Sequence, residues 1–336
     1  MAEKCTIKDV ALRSRTSVGT VSRYLNGVGC SPERAGRIRK AIKELHYVPN
    51  PHAKAVRSSS KGSIGILISS SSIDNTQWIN TVIFALIRKC TAMGVFPSIY
   101  EVDCKGDGSD CIQAMEKVDG VVMIGDFDLK FFRCFDRFPN LPAVTFCVPV
   151  HCANGISLEI EMDTAMEQMI EHLVSLNHRY IGVVSNLIES NRVKDEAFLK
   201  AVHRFYPDYD ETLIVKGAAE ENYGVYGRKY TAKLLDEHPE ITAIFYFSDC
   251  FLPGGLGELG KRQLRIPEDI SVVSMDNSAF CTQFEPAISS IGWDYELLAE
   301  NLLRTLFAKM AKRECPQCAW VCREFFCRGS SGLSRQ

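Results

Sequence analysis

From Ser63 onward, short apolar runs alternate with amphipathic stretches, and this alternation constrains the chain more than any other feature. Ser63–Ser69, SIGILIS, is an unbroken apolar strand. Trp78–Met93 has helical period and stops at Gly94. Val95–Tyr100, Gly120–Ile124, Ala143–Phe146 and Gly155–Ile160 read as further strands. Ile181–Val184, Leu213–Val215, Ile241–Phe247 and Ser271–Met275 continue the series. Helical patterns at about 163–176, 192–205, 223–237 and 295–311 fall between them. Apolar strands separated by helices form parallel sheets covered on both faces, so the class is α/β. The strands are too many for one comfortable sheet, which predicts two lobes.

Ahead of that body, Thr6–Asn26 reads as two short helices and a tight turn. Thr6 and Asp9 are spaced as a capping box. Ile7, Val10 and Ala11 share one helical face. Arg15-Thr16 makes the turn, and Ser17 is the N-cap of a second helix running through Leu25. Val21 and Leu25 face inward, which leaves Val18, Gly19, Ser22 and Arg23 outward. Small side chains permit close approach to a DNA groove, hydroxyls bond phosphates, and an arginine can take guanine O6 and N7 together. Ser31-Pro32-Glu33 starts a third helix, whose stripe of Ala35, Ile38, Ile42 and Leu45 closes over Val10, Val21 and Leu25. Pro49-Asn50-Pro51 then breaks the chain, and Ser58–Gly62 has linker composition. Residues 1–61 carry thirteen basic and four acidic side chains, a balance of +9 in a chain of net charge −2. A basic module on an acidic body suits a polyanionic partner for the first part only.

The runs T-I-K-D-V-A from Thr6, T-S-V-G-T-V-S-R-Y-L-N-G from Thr16 and Y-V-P-N-P-H-A from Tyr47 stand in fixed order and spacing. In this the chain resembles the lactose/galactose repressor (LacI) family. Weaker echoes follow at Ile181-Gly182, Ile266–Val273 and Val321–Glu324. The resemblance implies a helix-turn-helix headpiece at 1–48, a hinge at 49–61 and a two-lobed, periplasmic-binding-protein-like effector domain at 62–336. Lobe 1 is expected at about 62–160 plus 292–317, and lobe 2 at about 161–291 plus 318–328. Base contacts are expected from Val18, Gly19 and Arg23. Phosphate contacts are expected from Thr6, Ile7 (main chain), Ser17, Thr20, Ser22 and Asn26. His52, Ala53, Val56 and Arg57 would form the minor-groove hinge, with Val56 as the wedge where the family has leucine.

An effector cleft is expected between the lobes, at the carboxyl ends of the strands. Asp249 and Asp276 are acidic groups at such ends, and a carboxylate can accept two sugar hydroxyls. Trp78, Trp293 and Tyr295 could offer a stacking face to a sugar's C–H side. By resemblance, Lys194 stands at the family's ligand-binding arginine, four before Phe198, and lacks its bidentate fork. Ser248 stands where many members have asparagine, and Cys147 where many have aspartate. The expected protein is a repressor that binds a near-palindromic operator as a homodimer and is switched by a small molecule, taken to be a sugar.

Other classes leave weaker traces. Gly255-Leu-Gly257-Glu-Leu-Gly260 follows a strand and has Asp276 about twenty residues on, as a dinucleotide fingerprint would. It follows Pro253-Gly254, however, and lies in the last third of the chain; a nucleotide-dependent oxidoreductase would need this loop. A solute-binding protein would share the two lobes but needs export, and no signal segment precedes the first helix. No catalytic residue, cofactor or membrane span is expected, which places the protein in the cytoplasm, where the fourteen cysteines stay reduced. Cys315-Pro-Gln-Cys318 with Cys322 and Cys327 is too loosely spaced for zinc and reads as part of a closing strand. The absence of a leucine heptad after about residue 328 favours a dimer over a tetramer.

Overall fold

The computed structural model describes residues 6–25, 30–45, 62–70, 77–146, 150–187, 192–218, 222–313 and 318–335. The chain divides into two compact units, Met1–Gly62 and Ser63–Gln336.

In the first unit, helices α1 (Ile7–Ser14), α2 (Val18–Leu25) and α3 (Pro32–Glu44) surround a small core. Val10, Ala11, Val21, Ile38 and Ala41 are buried there, edged by Ile7, Val18, Tyr24, Leu25, Ile42 and Leu45. The Asp9 carboxylate takes the Thr6 N–H at 2.7 Å and the Thr6 hydroxyl at 2.6 Å, which fixes the start of α1. These bonds hold the Asp9 carboxyl below its usual range. Arg15 ends α1 in the left-handed region, at φ 51° and ψ 48°. Ser17 caps α2 by accepting the Thr20 N–H at 3.1 Å. An Arg13–Glu44 ion pair at 2.7 Å ties α1 to α3.

The second unit holds two six-stranded sheets. Its elements in chain order are β1 (Ser63–Ser69), α4 (Gln77–Met93), β2 (Phe96–Val102), α5 (Ile112–Met115), β3 (Val121–Ile124), β4 (Ala143–Phe146), β5 (Gly155–Glu161), α6 (Asp163–Ser175), β6 (Ile181–Val184) and α7 (Arg192–Phe205). Then follow β7 (Ile214–Val215), α8 (Tyr223–Glu237), β8 (Ala243–Tyr246), α9 (Leu252–Lys261), β9 (Ser271–Asp276), β10 (Ser289–Gly292), α10 (Tyr295–Met310), β11 (Cys318–Cys322) and β12 (Glu324–Phe326). The first sheet runs β11-β5-β4-β3-β1-β2 and the second β12-β10-β9-β8-β6-β7. All pairings are parallel except β10 with β12.

The inner strands β1, β3, β4, β6 and β8 are almost wholly apolar because both of their faces are covered. Ile64, Ile66 and Ile68 of β1 join Val122 and Ile124 of β3 under α4 and α10. Leu67, Val121 and Met123 point the other way, into a layer with Phe131, Phe132 and Phe135. Those phenylalanines lie on a 3-10 segment, Leu129–Arg137, that helical periodicity does not mark.

The lobe boundary differs from expectation at the C-terminus. Residues 318–328 do not all belong to the second lobe: β11 pairs with β5 in the first sheet, and only β12 pairs in the second. The chain therefore crosses between lobes three times, after β5, after β10 and between β11 and β12. Arg323 stands on the third crossing. Its N–H donates to the Glu161 carbonyl of the first at 3.2 Å. Its guanidinium lies 4.1 Å from the centre of the Trp293 ring, which belongs to the second. Among the described residues, no helix is long and apolar enough to cross a membrane.

Candidate nucleic-acid interface and effector cleft

In the first unit, burial sorts the residues of α2 by face. Val21 is fully buried, Val18 and Ser22 are half-buried, and Gly19, Ser17 and Arg23 are exposed. A methyl built on Gly19 would meet only the Ser17 hydroxyl, at 3.8 Å, so this face has open space in front of it. The helix thus presents one cation, a small-residue window and a hydroxyl to solvent, which can approach a groove floor closely. Thr20 departs from expectation. It is turned into the unit, and its hydroxyl pairs with that of Ser17 at 2.9 Å, so it supports the cap instead of facing a phosphate. Thr6 is exposed, with its hydroxyl held on Asp9, and Ile7 is half-buried at the first turn of α1. Asn26 and the hinge positions His52, Ala53, Val56 and Arg57 lie outside the described residues, as do Cys147 and Cys315.

In the second unit, six of the seven expected effector residues form one series of contacts around the carboxyl ends of β8 and β9. Lys194 on α7 donates to the Phe247 carbonyl at 3.2 Å. Ser248 follows and donates to the Asp276 carboxylate at 3.0 Å. The Tyr295 hydroxyl donates to the Asp276 carbonyl at 2.5 Å. Tyr295 edges Trp293, and Trp293 and Phe146 both contact Trp78. Asp276 has φ 105° and Asn277 φ 50°, backbone conformations that L-residues rarely adopt. Strain of this kind costs about 1–3 kcal/mol per residue and persists where surrounding contacts over-determine it. Gly292 makes the turn possible, because a Cβ there would lie 2.5 Å from the Asp276 carbonyl oxygen.

Asp249 corrects the sequence reading. It is fully buried, with Oδ1 accepting from the Ser274 hydroxyl at 2.5 Å and Oδ2 from the Ser278 N–H at 2.7 Å. Burial first, and the nearby Asp276 charge second, push its carboxyl up to about 6. Asp249 is the clamp on the Asp276–Ser278 turn and offers no free oxygen face to a ligand. Trp293 and Tyr295 are corrected in the same sense. They are 2% and 7% exposed and pack into the core under α10, with Arg323 covering the indole. Trp78 is the half-buried member of the aromatic set.

Sequence reasoning missed Asp126. It lies two residues beyond β3 and is exposed, yet it is walled closely enough that desolvation raises its carboxyl against the pull of Lys194. Asp126 and Lys194 thus bring opposite charges from the two lobes within electrostatic reach. The rule that singled out Asp276, an acid at a strand's carboxyl end, would have found Asp126 as well.

The glycine fingerprint is helical. Its glycines lie inside α9, which begins at Leu252. Gly255 packs against the Tyr246 ring and Gly254 against the Gly224 carbonyl of α8, where any Cβ would clash. A phosphate-binding turn needs those glycines between strand and helix, so no dinucleotide site forms there.

Residues 6–50 match the description "Bacterial regulatory proteins, lacI family", and residues 170–331 match "Periplasmic binding protein-like domain". The HTH-type transcriptional repressor PurR of Yersinia pestis bv. Antiqua (strain Antiqua) is 29% identical over 323 residues, covering 93% of this chain and 92% of its own. PurR of Escherichia coli O139:H28 (strain E24377A / ETEC) is 28% identical over the same span. Among solved structures, the lac repressor dimer bound to operator and the anti-inducer ONPF aligns with a TM-score of 0.71 at 21% identity, covering 98% of this chain and 100% of its own. The transcriptional regulator CelR–cellobiose complex aligns with a TM-score of 0.65 at 22% identity, covering 97% and 100%.

Proposed function

Because the chain belongs to the LacI family of bacterial regulatory proteins, we propose that it is a sequence-specific DNA-binding repressor, acting as a homodimer and switched by a small molecule bound between its lobes. The supporting observation is a separate three-helix unit that exposes Arg23 and Gly19 on α2, with Val18 half-buried beside them. Arg23 reads a guanine, Val18 and Gly19 meet base edges, and Ser17, Ser22, Asn26, Thr6 and the Ile7 main chain hold phosphates. The hinge residues His52, Ala53, Val56 and Arg57 enter the minor groove. On this reading the protein works in the cytoplasm and binds its effector without transforming it.

Dimerisation is supported by exposed apolar side chains in the first lobe. Phe84 and Met93 on α4, and Phe96 and Ile99 on the edge strand β2, are all at least 46% exposed. An edge strand with such side chains is a surface that proteins cover. A ligand that favours one lobe arrangement shifts that face, and through residues 49–61 the spacing of two headpieces. Ser248, Asp126 and Lys194 supply a hydroxyl and both charges to the cleft, with the buried Asp276 carboxylate holding Ser248 from behind, and Trp78 supplies an aromatic wall. That set suits a polyhydroxylated ligand such as a sugar.

The test is operator selection from a random DNA pool, followed by binding of Arg23→Ala. The variant should lose about 1–3 kcal/mol and become indifferent at one base position of each half-site. Unchanged strength and selectivity would remove α2 from the groove. In parallel, Phe84→Glu should give monomers in sedimentation and weaken operator binding.

A further inference from the structure

Two thiols and a thioether meet inside the first lobe. Cys111 and Met115 stand four residues apart on the turn that contains α5, and Cys134 comes from the 3-10 segment Leu129–Arg137. Cys111 Sγ lies 3.5 Å from Met115 Sδ and 3.9 Å from Cys134 Sγ, and Cys134 Sγ lies 3.9 Å from Met115 Sδ. All three residues are buried. A point equidistant from the three sulfurs is about 2.2 Å from each, close to the roughly 2.3 Å of a metal–thiolate bond. Gly108, at φ 72°, brings its backbone against the group, where a Cβ would come within 2.7 Å of Cys134 Sγ. Glycine there admits the approach of the two segments.

We propose that Cys111, Met115 and Cys134 form a binding site for one soft, thiophilic metal cation, Cu(I) being the best match. Thiolate and thioether together favour Cu(I), while calcium and magnesium demand oxygen. Zinc readily takes thiolate but rarely thioether. The bond to Cys111, burial and the charge of neighbouring thiols hold the Cys134 thiol in its protonated form. A thiol binds metal as its thiolate, so the step balances as two R–SH groups and Cu(I) giving a bis-thiolate complex and two H⁺, with the Met115 sulfur donating a lone pair and no change of oxidation state. An occupied site pins the Cys111–Met115 turn to the Leu129–Arg137 segment, which follows Asp126 at the cleft.

The experiment titrates the reduced full-length chain with Cu(I), anaerobically, against a coloured Cu(I) chelator. Copper-edge X-ray absorption then identifies the ligands. Wild type should retain a single chelator-resistant equivalent with three sulfur neighbours. Cys134→Ala should lose it. Met115→Leu, which conserves volume and so keeps the fold, should bind more weakly and show one sulfur fewer. Cys315→Ser/Cys318→Ser should bind as wild type does. If Met115→Leu and Cys134→Ala both hold copper as tightly as wild type, the metal sits on other cysteines and the proposal is overturned. Failure of wild type to compete with the chelator, or displacement of the copper by equimolar Zn(II), overturns it equally.

Discussion

Arg15 occupies a left-handed turn at φ 51°, where a side chain costs about 1 kcal/mol that glycine avoids. Arg15→Gly should therefore slow amide exchange across α1 and α2 in the full-length chain. Gly19→Ala should do the same to a smaller extent, since the added methyl meets nothing closer than 3.8 Å and glycine loses more backbone freedom than alanine on entering a helix. The two differ in consequence. Gly19 is on the outward face, so Gly19→Ala should alter operator preference while Arg15→Gly leaves it intact. At the cleft, Asp249 titrates in the opposite sense from an ordinary paired carboxylate. Its folded value, about 6, lies above the usual 3.8, so the folded state binds the extra proton between those values. Its contribution is present at low pH and is lost as pH rises through about 6. Melting of wild type and Asp249→Asn should show it: on going from pH 7 to pH 5, wild type should gain stability relative to the variant. Equal shifts in both would mean that Asp249 is not buried as a clamp. Residue types and strand ends marked Asp249 as polar and well placed, but nothing in a linear chain says that its two oxygens are both taken up in holding a turn.

Among the elements, those of strong period were legible to within a residue or two. Arg192–Phe205 and Tyr223–Glu237 are long, amphipathic and bounded, and the sequence reading places both where the structure does. Ser289–Gly292 was not identified, because SSIG carries no apolar run; its burial comes from β9 on one side and β12 on the other. The split of the C-terminal strands was equally hidden. It depends on Arg323, whose guanidinium covers Trp293 while its amide reaches Glu161, so that three crossings lie side by side. A cation stacked on a desolvated indole contributes about 2 kcal/mol. Arg323→Met should lower the melting temperature of the effector domain, and Arg323→Lys should restore little of it, because the ammonium has no plane to stack. Full rescue by lysine would reduce the residue to a simple charge.

For the whole molecule, the contrast is between a basic first unit and an acidic remainder. Operator affinity should fall by about a thousandfold or more between about 50 and 200 mM salt if six or more phosphates are contacted, while effector affinity stays nearly constant. A flat salt response would deny the first unit its polyanion. Composition, capping residues and apolar period by themselves determined that contrast, the three short helices, the parallel α/β body and the outward placement of Arg23. These are consequences of local geometry and of which side chains can leave water. Only the tertiary structure decided that Thr20 and Asp249 turn inward and that Trp293 lies beneath Arg323. It alone joined Cys111, Met115 and Cys134, and placed Asp126 near Lys194. Most of these depend on segments distant in sequence being brought together, and one chain's pattern of residue types carries no record of which distant partners will meet.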